Sequence, residues 1–154
     1  MAFKPFCIAF LFLSAQMWNG DKLVLSDREW KEKLGDERYA VMRKKGTERA
    51  FSGKILFSSA AGTYYCAACD LPLFHSKNKY DSGSGWPSFT QPIDPKYIYY
   101  LPDPNAIAPR YEVLCRRCDS HLGHVFHDGP PPKQLRHCIN SIALIFKTVY
   151  PTNK

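Results

Sequence analysis

Residues 115–140 read CRRCDSHLGHVFHDGPPPKQLRHCIN and hold most of the chain's reactive side chains. The stretch opens on a two-cysteine turn, Cys115 and Cys118, and passes His121 and His124. It reaches Asp128 before Gly129 and a proline run, and closes on Arg136, Cys138 and Asn140. The pattern predicts a strand from Arg136 to Phe146. With a strand's period of two, Arg136, Cys138 and Asn140 share one face, while His137 and Ile139 take the other. A guanidinium beside a thiol favours the thiolate, which makes Cys138 a candidate nucleophile. A lone strand cysteine is more often an inert buried residue. Here two histidines, an aspartate and an arginine close upstream weigh against that. In an unbroken strand His121 and His124 face opposite sides, but Gly123 permits a bulge that brings both to one site for acid–base work.

Working outward, Cys66 and Cys69 form a second CxxC pair. Two such turns brought together supply four thiolates at the corners of a tetrahedron, the closed geometry of a structural zinc site, one ion per chain. Two disulfides are the alternative, and they gain weight if the chain is secreted. A disulfide inside each tight turn constrains little, however, and pairing across the turns makes a redundant double staple. A redox-active CxxC opens a helix after a strand, and neither pair is placed that way.

Upstream, Ser26 to Glu29 has the form of a capping box, with Trp30 and Leu34 one helical turn apart. Gly35 ends that helix, and Asp36 caps a second that runs to about Gly46 with Tyr39 and Met42 on one side. From Phe51 on, short apolar and aromatic runs punctuated by Gly, Pro, Asn and Asp predict a mainly β body. Five prolines, at 92, 95, 102, 104 and 109, make Gln91 to Arg110 a surface excursion with at most an edge strand. Trp86, on the Gly-rich turn GSGWPSF, is either a core residue or a hydrophobic wall for a ligand. His75, His127 and His137 read as surface or packing residues.

At 154 residues the chain is long enough for one domain with a real core, and 45% hydrophobic content excludes disorder. The formal charge of +7 raises a nucleic-acid reading. The cations are scattered, apart from Arg43, Lys44 and Lys45 near Arg49 and the Arg116–Arg117 pair, and are not interleaved with exposed aromatics. A basic solvated surface accounts for them. Residues 1–20 carry Lys4 and then an apolar run from Pro5 to Leu13, too short to span a bilayer and of the length of a secretory leader. An uncleaved anchor or a buried amino-terminal segment is the alternative, because neither side of Trp18 offers a clean pair of small residues.

The segments GTERAFSG, YYCAACDLPLF, KYDSGSGWPSF, EVLCRRCDSHLGHVFHDGP and RHCINSIALIF together resemble the methionine-R-sulfoxide reductases, from about residue 26 to 146. The resemblance implies two antiparallel sheets forming an open barrel with short amino-terminal helices, and zinc on Cys66, Cys69, Cys115 and Cys118. It implies that Cys138 attacks the sulfoxide sulfur and that Trp86, with Phe126, receives the apolar end of the substrate. His121, His124 and Asp128 would bind water and protonate the sulfoxide oxygen, while Arg136 and Asn140 set the thiolate. The implied substrate is methionine-R-sulfoxide, protein-bound or free. Many members carry a resolving cysteine where this chain has Ser84. Reduction of Cys138 then falls to a thioredoxin-like protein or a small thiol, or to Cys7 if the leader is kept. Lys133, Gln134 and His137 also depart from the family's pattern, as does the Pro-rich excursion.

A binding module on the same scaffold, without catalysis, is the competing reading, and Cys138 with His121, His124 and Arg136 counts against it. The chain is expected to act as a monomer, with residues 147–154 as a tail. The leader alone points to the secretory pathway, with a cytoplasmic or organellar home as the alternative. Amino-terminal sequencing of the purified protein is expected to start near residue 20; an intact Met1 in a cytosolic fraction would overturn that expectation.

Overall fold

The computed structural model describes residues 17–149. Most of the expected leader, Cys7 with it, and the last five residues lie outside the described residues. Helix α1 (Asp27–Met42) starts where the capping box places it: the Ser26 side chain accepts from Glu29 N, and the Glu29 carboxylate accepts from Ser26 N at 2.8 Å. The two expected helices are the two halves of α1, and they meet at Gly35, whose non-helical φ of 72° and ψ of 170° break the run and suit a residue without Cβ. The kink lets both halves turn apolar residues inward: Trp30 and Leu34 before it, Val41 and Met42 after it, all buried. No helix among the described residues is long and apolar enough to cross a membrane.

The body is two antiparallel sheets, neither closed on itself. The smaller has β1 (Gly62–Cys66) between β2 (Pro72–His75) and β9 (Leu144–Thr148). The larger has six strands, β3 (Lys79–Tyr80), β4 (Ser88–Phe89), β5 (Ile98–Pro102), β6 (Tyr111–Cys115), β7 (His121–Phe126) and β8 (Arg136–Ile139). Their spatial order is β3-β4-β8-β7-β6-β5. The Pro-rich excursion thus contributes β5 as an edge strand. Aromatic rings join the sheets: Phe74 of β2 stacks on Phe89 of β4 at 4.4 Å between centroids, and Tyr64 of β1 meets Phe89 edge-on at 5.2 Å. All three are fully buried, each contributing about 4–6 kcal/mol by area removed from water, as an upper bound.

The strand expected over 136–146 is two strands in two sheets. It breaks at Asn140, whose N–H and Nδ2 both donate to Leu122 O, at 2.9 and 3.0 Å. The Glu48 carboxylate then takes Ser141 N and Ile142 N, stabilising a 3-10 turn over Ser141–Ala143 before β9 leaves for the other sheet. Glu48 lies more than ninety residues away in sequence, so periodicity alone misses the break.

The alternation within β8 holds. His137 and Ile139 are buried, and Arg136 and Cys138 are half-buried on the opposite face. His137 is a packing residue. Its Nδ1 donates to Phe89 O at 3.1 Å and its Nε2 accepts from Tyr100 Oη at 2.8 Å, and burial lowers its pKa to about 4.

The β6–β7 register shifts so that Val113 faces Gly123 while Leu114 faces His121, leaving Leu122 as the extra residue of a bulge. Gly123 is required there by close approach: a Cβ would stand 2.0 Å from Cys138 O. Gly123→Ala is expected to push β8 off β7 and to cost roughly 1–3 kcal/mol, as for overpacking elsewhere. A fall in the urea midpoint at unchanged slope checks it; an unchanged midpoint would show that the strands separate freely.

Candidate active site

Two identical turns build a four-sulfur corner. In each CxxC the first cysteine ends a strand, β1 or β6, and the residue after the second is an aspartate in the left-handed region, Asp70 at φ 62° and Asp119 at φ 58°. Asp70 N donates to Cys66 O at 2.8 Å and Asp119 N to Cys115 O at 2.9 Å. The turns meet with all four sulfurs within 4.8 Å of one another, Cys66 to Cys118 at 3.7 Å and Cys69 to Cys115 at 3.5 Å. These separations are far from a bonded S–S length of about 2 Å. They fit the edge of about 3.8 Å that Zn–S bonds of 2.3 Å give a tetrahedron. Hydrogen bonding to Cys115 and the other thiols, together with burial, pushes the Cys66 thiol well up, so four thiolates need a cation among them. The donor set is therefore that of a closed, structural metal site. It brings a turn of the small sheet against the turn that leads into β7, and a metal held there would pin the two together.

Cys138 lies on β8 between Ser88 of β4 and His124 of β7, its partners in register. It opens into a cleft of about 110 Å³ walled by Trp86, Phe126 and His124, with Thr47, Arg110 and Asn140 at its edges. A larger hollow of about 850 Å³, beside the α1 kink, holds neither a cysteine nor a histidine. Trp86 is held by Nε1 donating to Glu48 O at 3.0 Å. Burial pushes the Cys138 thiol up, against the Arg136 guanidinium and a hydrogen bond with the Ser84 hydroxyl, which both pull it down. The expected help from Arg136 is present and burial outweighs it. Ser84 belongs to a hydroxyl chain, with Ser82 Oγ 2.8 Å from Ser84 Oγ and 2.7 Å from Ser88 Oγ.

The bulge does bring the histidines together, their ring centroids 5.4 Å apart and edge to face. They occupy different positions. His124 walls the cleft. His121 is buried behind it, Nδ1 donating to Glu112 Oε1 at 2.8 Å, and Lys45 Nζ reaches Glu112 Oε2 at 3.1 Å. Burial lowers the pKa of both imidazoles. Asp128 does not line the cleft. It is exposed and grips Arg136 with two bonds, at 2.8 and 3.0 Å, and Arg136 lies 4.4 Å over the Phe126 ring. Asn140 walls the cleft with its amide committed, Nδ2 to Leu122 O and Oδ1 to Glu48 N.

The structure also adds Arg110, Asp103, Glu48 and Glu112, which the sequence did not single out. An aspartate and an arginine seven residues apart, closing a loop with an apolar tip, were the readable signal for the first two.

The SelR domain matches residues 34–148, most of the chain. The chain belongs to the SelR-domain family. The chain is 52% identical over 126 residues to a protein of Hahella chejuensis named peptide methionine sulfoxide reductase MsrB, covering 82% of this chain and 91% of that one. Proteins of the same name from Azotobacter vinelandii and Methanosarcina barkeri are 54% identical over 127 residues and 50% over 123, covering 82% and 80% of this chain and 96% and 87% of theirs.

In this SelR domain Glu48 joins the cleft to the strand break: its carbonyl holds Trp86, its N–H holds Asn140, and its carboxylate holds the 141–143 turn. Glu48→Ala removes the two carboxylate bonds and is expected to cost about 3 kcal/mol, since hydrogen bonds to charged groups contribute about 1.5–3 kcal/mol each. Thermal unfolding checks it; a loss below about 0.5 kcal/mol would mean that water replaces the carboxylate.

Proposed function

We propose that this chain reduces methionine-R-sulfoxide in oxidised proteins, with Cys138 as the nucleophile and zinc in the four-sulfur corner. The observation that carries the reading is a cysteine outside that corner, set opposite an imidazole in a small aromatic-walled cleft of a SelR domain. Cys138 rests as a thiol and His124 as a neutral imidazole, because burial disfavours the charge on each. The thiol proton passes to His124, and the thiolate attacks the sulfoxide sulfur. The imidazolium returns that proton to the oxygen as the S–O bond breaks, which leaves hydroxide and a sulfonium with the Cys138 sulfur bonded to the substrate sulfur. The hydroxide then adds to the Cys138 sulfur, and the S–S bond breaks with its electron pair going to the substrate sulfur. The substrate sulfur is reduced by two electrons and Cys138 is oxidised by two. The products are methionine and a sulfenic acid. Trp86 and Phe126 take the substrate's methyl end. Arg136, held by Asp128, supports the thiolate, and His121 packs edge-on behind His124.

The sulfenic acid then condenses with a thiol, losing water, and a second thiol releases Cys138. Among the described residues every other cysteine sits in the four-sulfur corner. With Ser84 beside Cys138, both thiols come from beyond the described residues, as a thioredoxin-like protein or a small thiol, or with Cys7 as one of them if the leader is kept. The leader remains the ground for placing this reaction in the secretory pathway. The test is turnover of peptides carrying the R or the S epimer, with dithiothreitol. Reduction of R alone is expected, falling a thousandfold or more in Cys138→Ser. About one zinc per chain is expected in the same preparation and its loss in Cys115→Ser. Absence of turnover in zinc-loaded protein would move the reading to a binding module.

A further inference from the structure

The loop of residues 103–110, between β5 and β6, reads in sequence as a surface excursion, yet it delivers a carboxylate to the cleft. Asp103 Oδ2 lies 3.1 Å from His124 Nε2 and accepts from both Nε and Nη2 of Arg110 at 2.9 Å, while Oδ1 accepts from Asn105 N at 3.0 Å. Asp103 N donates to Arg110 O at 3.0 Å and closes the loop. Both partners are largely buried, the Asp103 and His124 side chains 14% and 16% exposed. Pro102 and Pro104 flank Asp103, and Pro109 precedes Arg110. Proline fixes its own φ and holds the residue before it extended. The proline density that keeps this segment out of the sheet interior therefore also aims its carboxylate.

Arg110 first, and then the Asn105 amide, hold the Asp103 carboxyl below the usual carboxylate range. An ionised carboxylate only accepts, so His124 Nε2 carries the proton and Nδ1 is left for the cleft. We infer that Asp103 is a positioning residue for the reaction: it fixes the tautomer and orientation of His124 and supports the imidazolium that forms when Cys138 gives up its proton. This rests on the reductase reading. The charged and titratable groups around His124 are Asp103 and Arg110 from the loop, His121 on its own strand, Glu112 opposite it on β6 and Cys138 opposite it on β8. Burial, then Arg110, then His121 disfavour the imidazolium, and Asp103 opposes them.

The two members of the loop's ion pair thus act on His124 with opposite sign, which separates positioning from mere loop integrity. The experiment uses the full chain loaded with zinc. It measures kcat and KM for an R-epimer peptide from pH 5 to 10, and the His124 imidazole titration by nitrogen NMR. The variants are Asp103→Asn and Arg110→Gln. In Asp103→Asn, kcat is expected to fall about tenfold to a hundredfold, as for other orienting partners of a working histidine, with KM little changed. The His124 titration, and the kcat/KM limb that it governs, move to lower pH. In Arg110→Gln they move to higher pH. Wild-type kcat and titration in Asp103→Asn, or shifts of the same sign in both variants, would overturn the inference. If Asp103→Asn fails to fold, the Arg110→Gln titration decides, an upward shift supporting the inference and any other outcome overturning it. If the wild type reduces neither epimer, the reductase reading fails by itself, and the titrations still decide whether Asp103 holds His124.

Discussion

Four buried sulfurs drawn within 4.8 Å of one another are the constraint on which the rest of the structure depends. The two sheets share aromatic packing, but such packing tolerates sliding; a tetrahedral donor set does not. One turn of the corner leads back along β1 to the strand that pairs with β9, and the other leads directly into β7, where His121 follows Cys118 by three residues. A metal held there would fix the start of β7 relative to the small sheet. Every side chain of the cleft that sits on β7 inherits that position.

From that fixed start the cleft is assembled by close approach. The bulge at Leu122 turns both histidines to one side, and Gly123 lets the Cys138 backbone lie against β7 without a Cβ between them. Glu48 then ends β8 and holds the indole of Trp86. The resulting pocket is small and walled largely by aromatic rings, and low polarity has two effects there. Burial disfavours the charge on both Cys138 and His124, and under the proposed chemistry it would strengthen each fixed dipole and ion that meets the charges formed during reaction. Arg136 beside the sulfur and Asp103 beside the imidazole are placed one for each charge.

Much of this was legible in the sequence where the cause is local. The capping box at Ser26, the break at Gly35, the paired CxxC turns and the need for flexibility at Gly123 all act over a few residues. Alternation placed Arg136 and Cys138 on one face correctly. The same alternation ran through Asn140 into a strand that does not continue, because the group that ends it, the Glu48 carboxylate, comes from a distant loop. The polar pair Asn140–Ser141 was the only local sign of that turn. The resemblance implies a water-binding role for Asp128, and the structure adds that its carboxylate is engaged in a two-point bond to Arg136 eight residues on, which composition does not reveal. The Pro-rich segment was read correctly as carrying at most an edge strand. Its part in the cleft depends on how the loop folds back over β7, a fact of tertiary structure.

The serine chain beside Cys138 has a consequence for how such a protein behaves under oxidative load. A hydroxyl can hold a hydrogen bond to the sulfur but cannot take over its oxidation, so under the proposed chemistry a sulfenic acid on Cys138 would persist until a thiol from beyond the described residues arrives. Throughput under the proposed chemistry then follows the supply of that thiol. During the wait the sulfur is one peroxide encounter from the sulfinic state, which thiols do not reverse. Inactivation would accordingly scale with the ratio of peroxide to reductant in the compartment, giving the enzyme a working life counted in turnovers.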